Sequence, residues 1–137
     1  MSNLKKITLE QFIVCFDALT EYHKDSNEPL PELKNTDKLE SVLDYPFQSV
    51  FGKVLFWGFY KKAACYFYGF SKGHIFANGN KRSGVLAVNI FYDINGRKLN
   101  VPDDDMYDMA RFIANSKSED KDAVIIHIFN FLKKYKD

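Results

Sequence analysis

The chain has no surplus of charge of either sign. Its 19 Lys and Arg stand against 18 Asp and Glu in 137 residues, so no broad field draws it to a nucleic-acid backbone or an anionic membrane, and any anion site must be local. Cysteine is scarce. Cys15 and Cys65 lie in apolar, helix-like stretches without CxxC spacing, which marks them as small buried hydrophobes and suits a reducing cytoplasm rather than a disulfide framework. Unbroken apolar runs are missing too: Met1-Ser-Asn-Leu-Lys-Lys leads into an amphipathic segment, and neither a signal peptide nor a membrane span is expected. There is no internal repeat, low-complexity tract or sign of a second domain, and the length fits one domain over residues 1–137. What the chain has in quantity is aromatic side chains, 13 Phe and 8 Tyr, enough to fill a core with bulky rings.

Thr8-Leu-Glu-Gln11 has the form of a capping box, and Leu9, Phe12, Ile13, Phe16 and Leu19 follow at helical spacing, which predicts a helix to about Tyr22. Ser26 to Pro31, with turn residues and two prolines, reads as a loop. A short helix opens at Asp37-Lys-Leu-Glu40, carries Leu39, Val42 and Leu43, and closes at Asp44-Tyr-Pro46. Phe47 to Phe51 offers no helical face and suggests a hairpin or extended flap. From about Lys53 to Lys72 the apolar residues circle most of a helix, as in a buried central one, and Gly73 is expected to end it as a C-terminal glycine. The next helix runs from near Asn80 to the turn at Asn95-Gly96. Pro102-Asp-Asp-Asp105 and Ser118-Glu-Asp120 each start another, the last turning Val124, Ile125, Ile128, Phe129 and Leu132 inward. The fold class is all-α, a compact bundle of about six helices with a short flap before the central one.

Asn78-Gly79-Asn80 is turn chemistry placed just before a helix, where the first backbone N–H groups lack intrahelical partners and can bind an anion. Lys81 and Arg82 then put two cations at the positive end of that helix, an arrangement that costs roughly 0.3–1 kcal/mol per exposed charge unless an anion is bound. His74 is the only ionisable side chain between Lys72 and Lys81, and its ordinary pKa leaves it largely neutral and able to accept a proton from an attacking hydroxyl. Spacing alone leaves open that this stretch is a plain connection with solvated charges. A P-loop is excluded, because Asn80 separates Gly79 from Lys81 and Arg82 precedes Ser83.

His74-Ile75-Phe76-Ala77-Asn78-Gly79-Asn80-Lys81-Arg82 resembles the signature of the Fic superfamily, and specifically of its Doc branch, with the pattern His-x-Phe-x-Asp/Asn-Gly/Ala-Asn-Lys-Arg. Leu39-Glu-Ser-Val-Leu43, Phe51-Gly52, Lys62-Ala-Ala64 and Asn95-Gly96 are similar to the same branch, so the likeness runs from about Glu32 onward. In Fic enzymes that transfer AMP, a glycine stands where this chain has Lys81 and a second arginine where it has Val85. The resemblance implies a toxin of a toxin–antitoxin pair that acts as a protein kinase, passing the γ-phosphate of ATP to the elongation factor that delivers aminoacyl-tRNA. On that likeness His74 is the general base and Phe76 the structural anchor. Asn78, Gly79, Asn80, Lys81 and Arg82 hold the phosphates, and Pro46, Phe47, Gln48, Ser49 and Val50 form a flap that binds the target as an added strand. The cofactor implied is Mg²⁺ with ATP. Asn78 is a weak metal ligand in a place that is commonly acidic, since an amide oxygen is neutral. Nucleotide, protein target and an antitoxin are the implied partners. A nucleotidyl transferase acting on a protein hydroxyl, or a Fic-fold binding module without catalysis, are the alternatives.

Overall fold

The computed structural model describes residues 3–23, 36–73, 75–76 and 80–136. Among these the chain forms six α-helices and one small hairpin: α1 (Leu9–His23), α2 (Thr36–Asp44), β1 (Ser49–Val50), β2 (Lys53–Val54), α3 (Gly58–Lys72), α4 (Asn80–Ile94), α5 (Asp103–Asn115) and α6 (Lys121–Lys134). The all-α class holds. The capping box is made in full, for the Gln11 N–H donates to Thr8 Oγ1 at 3.1 Å and the Thr8 N–H to Gln11 Oε1 at 2.9 Å. The loop read between Ser26 and Pro31 lies outside the described residues.

Helix α3 is the axis of the bundle, packed mainly against α4 and α6, with α5 and α2 completing its surround. Its rings do the filling: Tyr66, Phe67 and Phe70 are fully buried. The Tyr66 hydroxyl joins three segments, accepting from the Ile7 N–H at 3.2 Å and donating to the Leu43 carbonyl at 2.8 Å. Burial raises the pKa of this phenol, so it stays a neutral donor.

The start of α3 differs from the sequence reading, whereas its end at Lys72 agrees and only the conformation of Gly73 is not the left-handed one expected. Helix α3 starts at Gly58 rather than near Lys53, because Lys53 and Val54 pair with β1 and the chain leaves the hairpin through Gly58 at φ +82°, a left-handed conformation suited to glycine. Gly73 ends α3 with an ordinary right-handed φ of −77°. Glycine is needed there for space, since a Cβ would lie 2.4 Å from the Gly69 carbonyl oxygen.

Helices α3 and α4 approach closely at Gly84. A Cβ built on Gly84 would lie 2.2 Å from Ser71 Oγ, and the Ser71 hydroxyl, buried here, has no hydrogen-bond partner. At the other end of α3 the hairpin pairs Ser49 with Val54 and Val50 with Lys53. Its turn places Phe51 at φ +51° and Gly52 at φ +77°, the two positive values of a type I′ turn, for which Asn-Gly is the ordinary choice. The Phe51 ring is fully exposed.

Two outcomes follow for stability. Gly84→Ala should cost about 1–3 kcal/mol by overpacking the helix contact, and adding Ser71→Ala should recover most of the loss because it removes an unpartnered atom. Urea melts of both single variants and the double variant measure that coupling, and additive losses would refute the contact. Phe51→Asn should leave the fold as stable or raise it by roughly 0.5–1 kcal/mol by relieving the left-handed phenylalanine. A drop in melting temperature would show that the ring supports the fold.

Candidate functional site: the loop between α3 and α4

The start of α4 is fixed to the preceding loop by one side chain. Asn80 Oδ1 accepts from the Phe76 N–H and Asn80 Nδ2 donates to the Phe76 carbonyl, both at 3.0 Å. This closed pair ties the loop to the first helical residue, as Asn side chains do where a chain turns into a helix. Phe76 is itself held from beneath. Its ring is buried and stacks on Phe16 at 4.7 Å and near Phe12 at 6.2 Å, both from α1, while Phe12 stacks on Phe70 of α3 at 4.8 Å. Ile75 beside it is fully buried.

Against this frame Lys81 is exposed and Arg82 half-buried, both in the first turn of α4, where no acidic residue stands. Two cationic residues thus stand in the turn whose backbone N–H groups have no intrahelical acceptors. Ser83 in the same turn is fully buried and its hydroxyl has no hydrogen-bond partner among the described residues. Its Cα–Cβ bond leans toward the helix start, as all helical Cβ atoms do. Neither Ser83 nor the Asn80–Phe76 pair was identified from sequence. The serine carried no motif signal, whereas an Asn at the first helical position is a signal for loop capping that phosphate chemistry overshadowed. His74, Asn78 and Gly79 lie outside the described residues.

The flap residues separate into two groups. Pro46 and Phe47 belong to a 3-10 turn, Tyr45–Phe47, with Pro46 buried and the Phe47 ring edge-on to Phe91 at 6.1 Å. Gln48, Ser49 and Val50 are exposed, and the hairpin extends one bond further through the Leu55 N–H to the Gln48 carbonyl at 3.3 Å.

A cavity of about 320 Å³ runs from this hairpin to the loop, bounded by Val42, Tyr45, Gln48, Cys65, Tyr68 and Gly73. Lys38, Lys72 and Lys121 also border it, and no described carboxylate does. Lys72 Nζ donates to the carbonyls of Ala114 (3.2 Å) and Ser116 at the end of α5. Lys121 Nζ donates to Tyr45 Oη at 3.0 Å. Burial pushes the Cys65 thiol up to about 12, with Lys121 and Lys62 only partly opposing it, so the thiol stays neutral and inert.

Among the described residues no group of three His, Cys, Asp or Glu could hold a metal ion, and no described helix is long and apolar enough to cross a membrane. No curated protein matches the chain. The family model described as the Fic/DOC family matches residues 5–97, a span that takes in α1 to α4, the hairpin and the whole loop. By that match, over more than half of its length, the chain belongs to the Fic/DOC family.

Proposed function

We propose that this protein is a Doc-type toxin that transfers the γ-phosphate of ATP to a hydroxyl of a protein target, by resemblance the elongation factor that delivers aminoacyl-tRNA, and is held in check by an antitoxin. Members of the Fic/DOC family are typically transferases, and the finer reading rests on one observation: Lys81 and Arg82 lie together in the first turn of α4, where the helix alone disfavours cations. A polyphosphate removes that penalty. The buried, unpartnered Ser83 hydroxyl in the same turn supports the same reading, since an unmade hydrogen bond costs about 1–3 kcal/mol that an anion could recover.

The chemistry assigned to the chain is positioning and charge neutralisation, which is most of what phosphoryl transfer asks of a protein. His74 takes the proton of the target hydroxyl, a contribution of about 10² to 10⁴ in rate. Arg82 grips a phosphate through its planar fork and Lys81 adds a point charge. The Asn80 side chain is engaged with Phe76, so its share in phosphate binding falls to its backbone N–H. Mg²⁺, when it comes with the nucleotide, supplies further neutralisation of the phosphate oxygens. Asn78 would hold it only through a neutral amide oxygen, a weaker ligand for a hard cation than a carboxylate. The exposed residues from Gln48 to Lys53 offer a backbone edge to which a target segment can add.

Position 85 weighs against transfer of a nucleoside monophosphate. Val85 is buried in α4 and supplies no second cation. The non-catalytic reading, a Fic-fold binding module, draws on Asn78.

Two experiments decide among these. With the purified chain and the elongation factor, label should move from γ-labelled but not α-labelled ATP, and His74→Ala should abolish both transfer and growth arrest while leaving the fold intact. Transfer of α-label would establish nucleotidyl transfer, and binding of the target without transfer of either label would establish the module. Neutralising Lys81 and Arg82 together should leave the melting temperature of the free protein equal or slightly higher while removing the shift produced by Mg²⁺-ATP, because a ligand stabilises only through its affinity for the folded state. An undiminished shift would refute phosphate binding here, and a free protein weakened by several kcal/mol would make the two residues structural ion-pair partners.

A further inference from the structure

Long cationic side chains normally keep their heads in water. Lys62 of α3 does not: it is 6% exposed, and among the described residues no carboxylate pairs with it. Its Nζ donates a hydrogen bond to the Phe56 carbonyl and stands 5.1 Å from the centroid of the Phe47 ring. Phe47 closes the 3-10 turn that leads into the hairpin, and Phe56 is the second residue after β2. One ammonium thus touches both the incoming and the outgoing segment of the hairpin at its root. A second lysine acts on the same root from α6. Lys121 Nζ donates to Tyr45 Oη and lies 4.4 Å from the centre of the Tyr45 ring, and that ring meets Phe56 edge-on at 5.2 Å.

Beyond these root contacts and the packing of Phe47 and Phe56 on the core, the hairpin itself is slight. Its strands are two residues each, and a two-stranded hairpin is marginal in water on its own. For stability alone, an ammonium at position 62 is a poor choice. Burial lowers its pKa by penalising the charged form, and an apolar side chain of similar length would pack there at no loss. What the ammonium adds is direction, a donor aimed at one carbonyl and a charge placed over one ring.

We infer that Lys62 is a positioning residue for the hairpin, a clamp that joins Phe47 to Phe56 so that the strand edge is held out to a protein target in one fixed orientation. The clamp follows from the contacts alone, whereas the role of the edge as a docking site rests on the function proposed above.

Hydrogen exchange and target kinetics test the two parts separately. In Lys62→Met the amides of residues 49–55 should exchange about tenfold faster or more, while those of α3 and α4 keep their protection, since only the local opening is made easier. Lys62→Arg, which keeps a donor and a cation, should restore most of the protection. With the elongation factor as target, Lys62→Met should raise its KM by about tenfold and leave kcat and the nucleotide affinity unchanged. If Lys62→Met does not fold, Lys121→Met, at a half-buried position on the other side of the root, should speed the same amides by a smaller factor. Unchanged exchange of residues 49–55 overturns the clamp. Faster exchange with an unchanged KM leaves the clamp standing and overturns the docking role of the hairpin instead.

Discussion

The contact on which the rest of the site depends is the close crossing of α3 and α4 at Ser71 and Gly84. With no side chain at Gly84, the end of α3 and the start of α4 can approach closely. A larger residue would spread the helices and lengthen the span that residues 73–79 must cross. Packed interiors do not absorb such a change smoothly, because they are as dense as molecular crystals.

Within that spacing the loop is held from two sides by different forces. Phe76 is driven into an aromatic column that runs from α1 through Phe12 and Phe16 to Phe70 of α3. Asn80 fixes the backbone of the same residue through directional hydrogen bonds. The hydrophobic contact sets depth and the hydrogen bonds set orientation, so the basic turn that follows begins from a defined point.

Much of this was legible in the sequence, and the parts that were not share a cause. Helical periodicity located α1, α2, α4, α5 and α6, since spacing and caps are local signals. The nine-residue motif marks the loop, and the lack of a helical face from Phe47 to Phe51 marks the first half of the hairpin. The start of α3 was missed because Lys53 and Val54 fit a helical pattern as well as a strand, and only the left-handed Gly58 decides between them. Lys62, Lys72 and Lys121 were missed as structural cations for another reason. Each reaches a carbonyl, ring or hydroxyl brought near by folding, up to 76 residues away for Lys121 and Tyr45, and no local pattern encodes such a partner. The Asn80 side chain was the exception, readable as a loop cap but assigned to phosphate.

The root of the hairpin is secured by side chains of α3, α6 and the preceding turn, whereas residues 48–55 meet the rest of the protein little. Two kinds of change can therefore proceed independently in this architecture. The tip can be rewritten, lengthened or exchanged without disturbing the loop and its basic helix start, so sequence change in one need not propagate to the other.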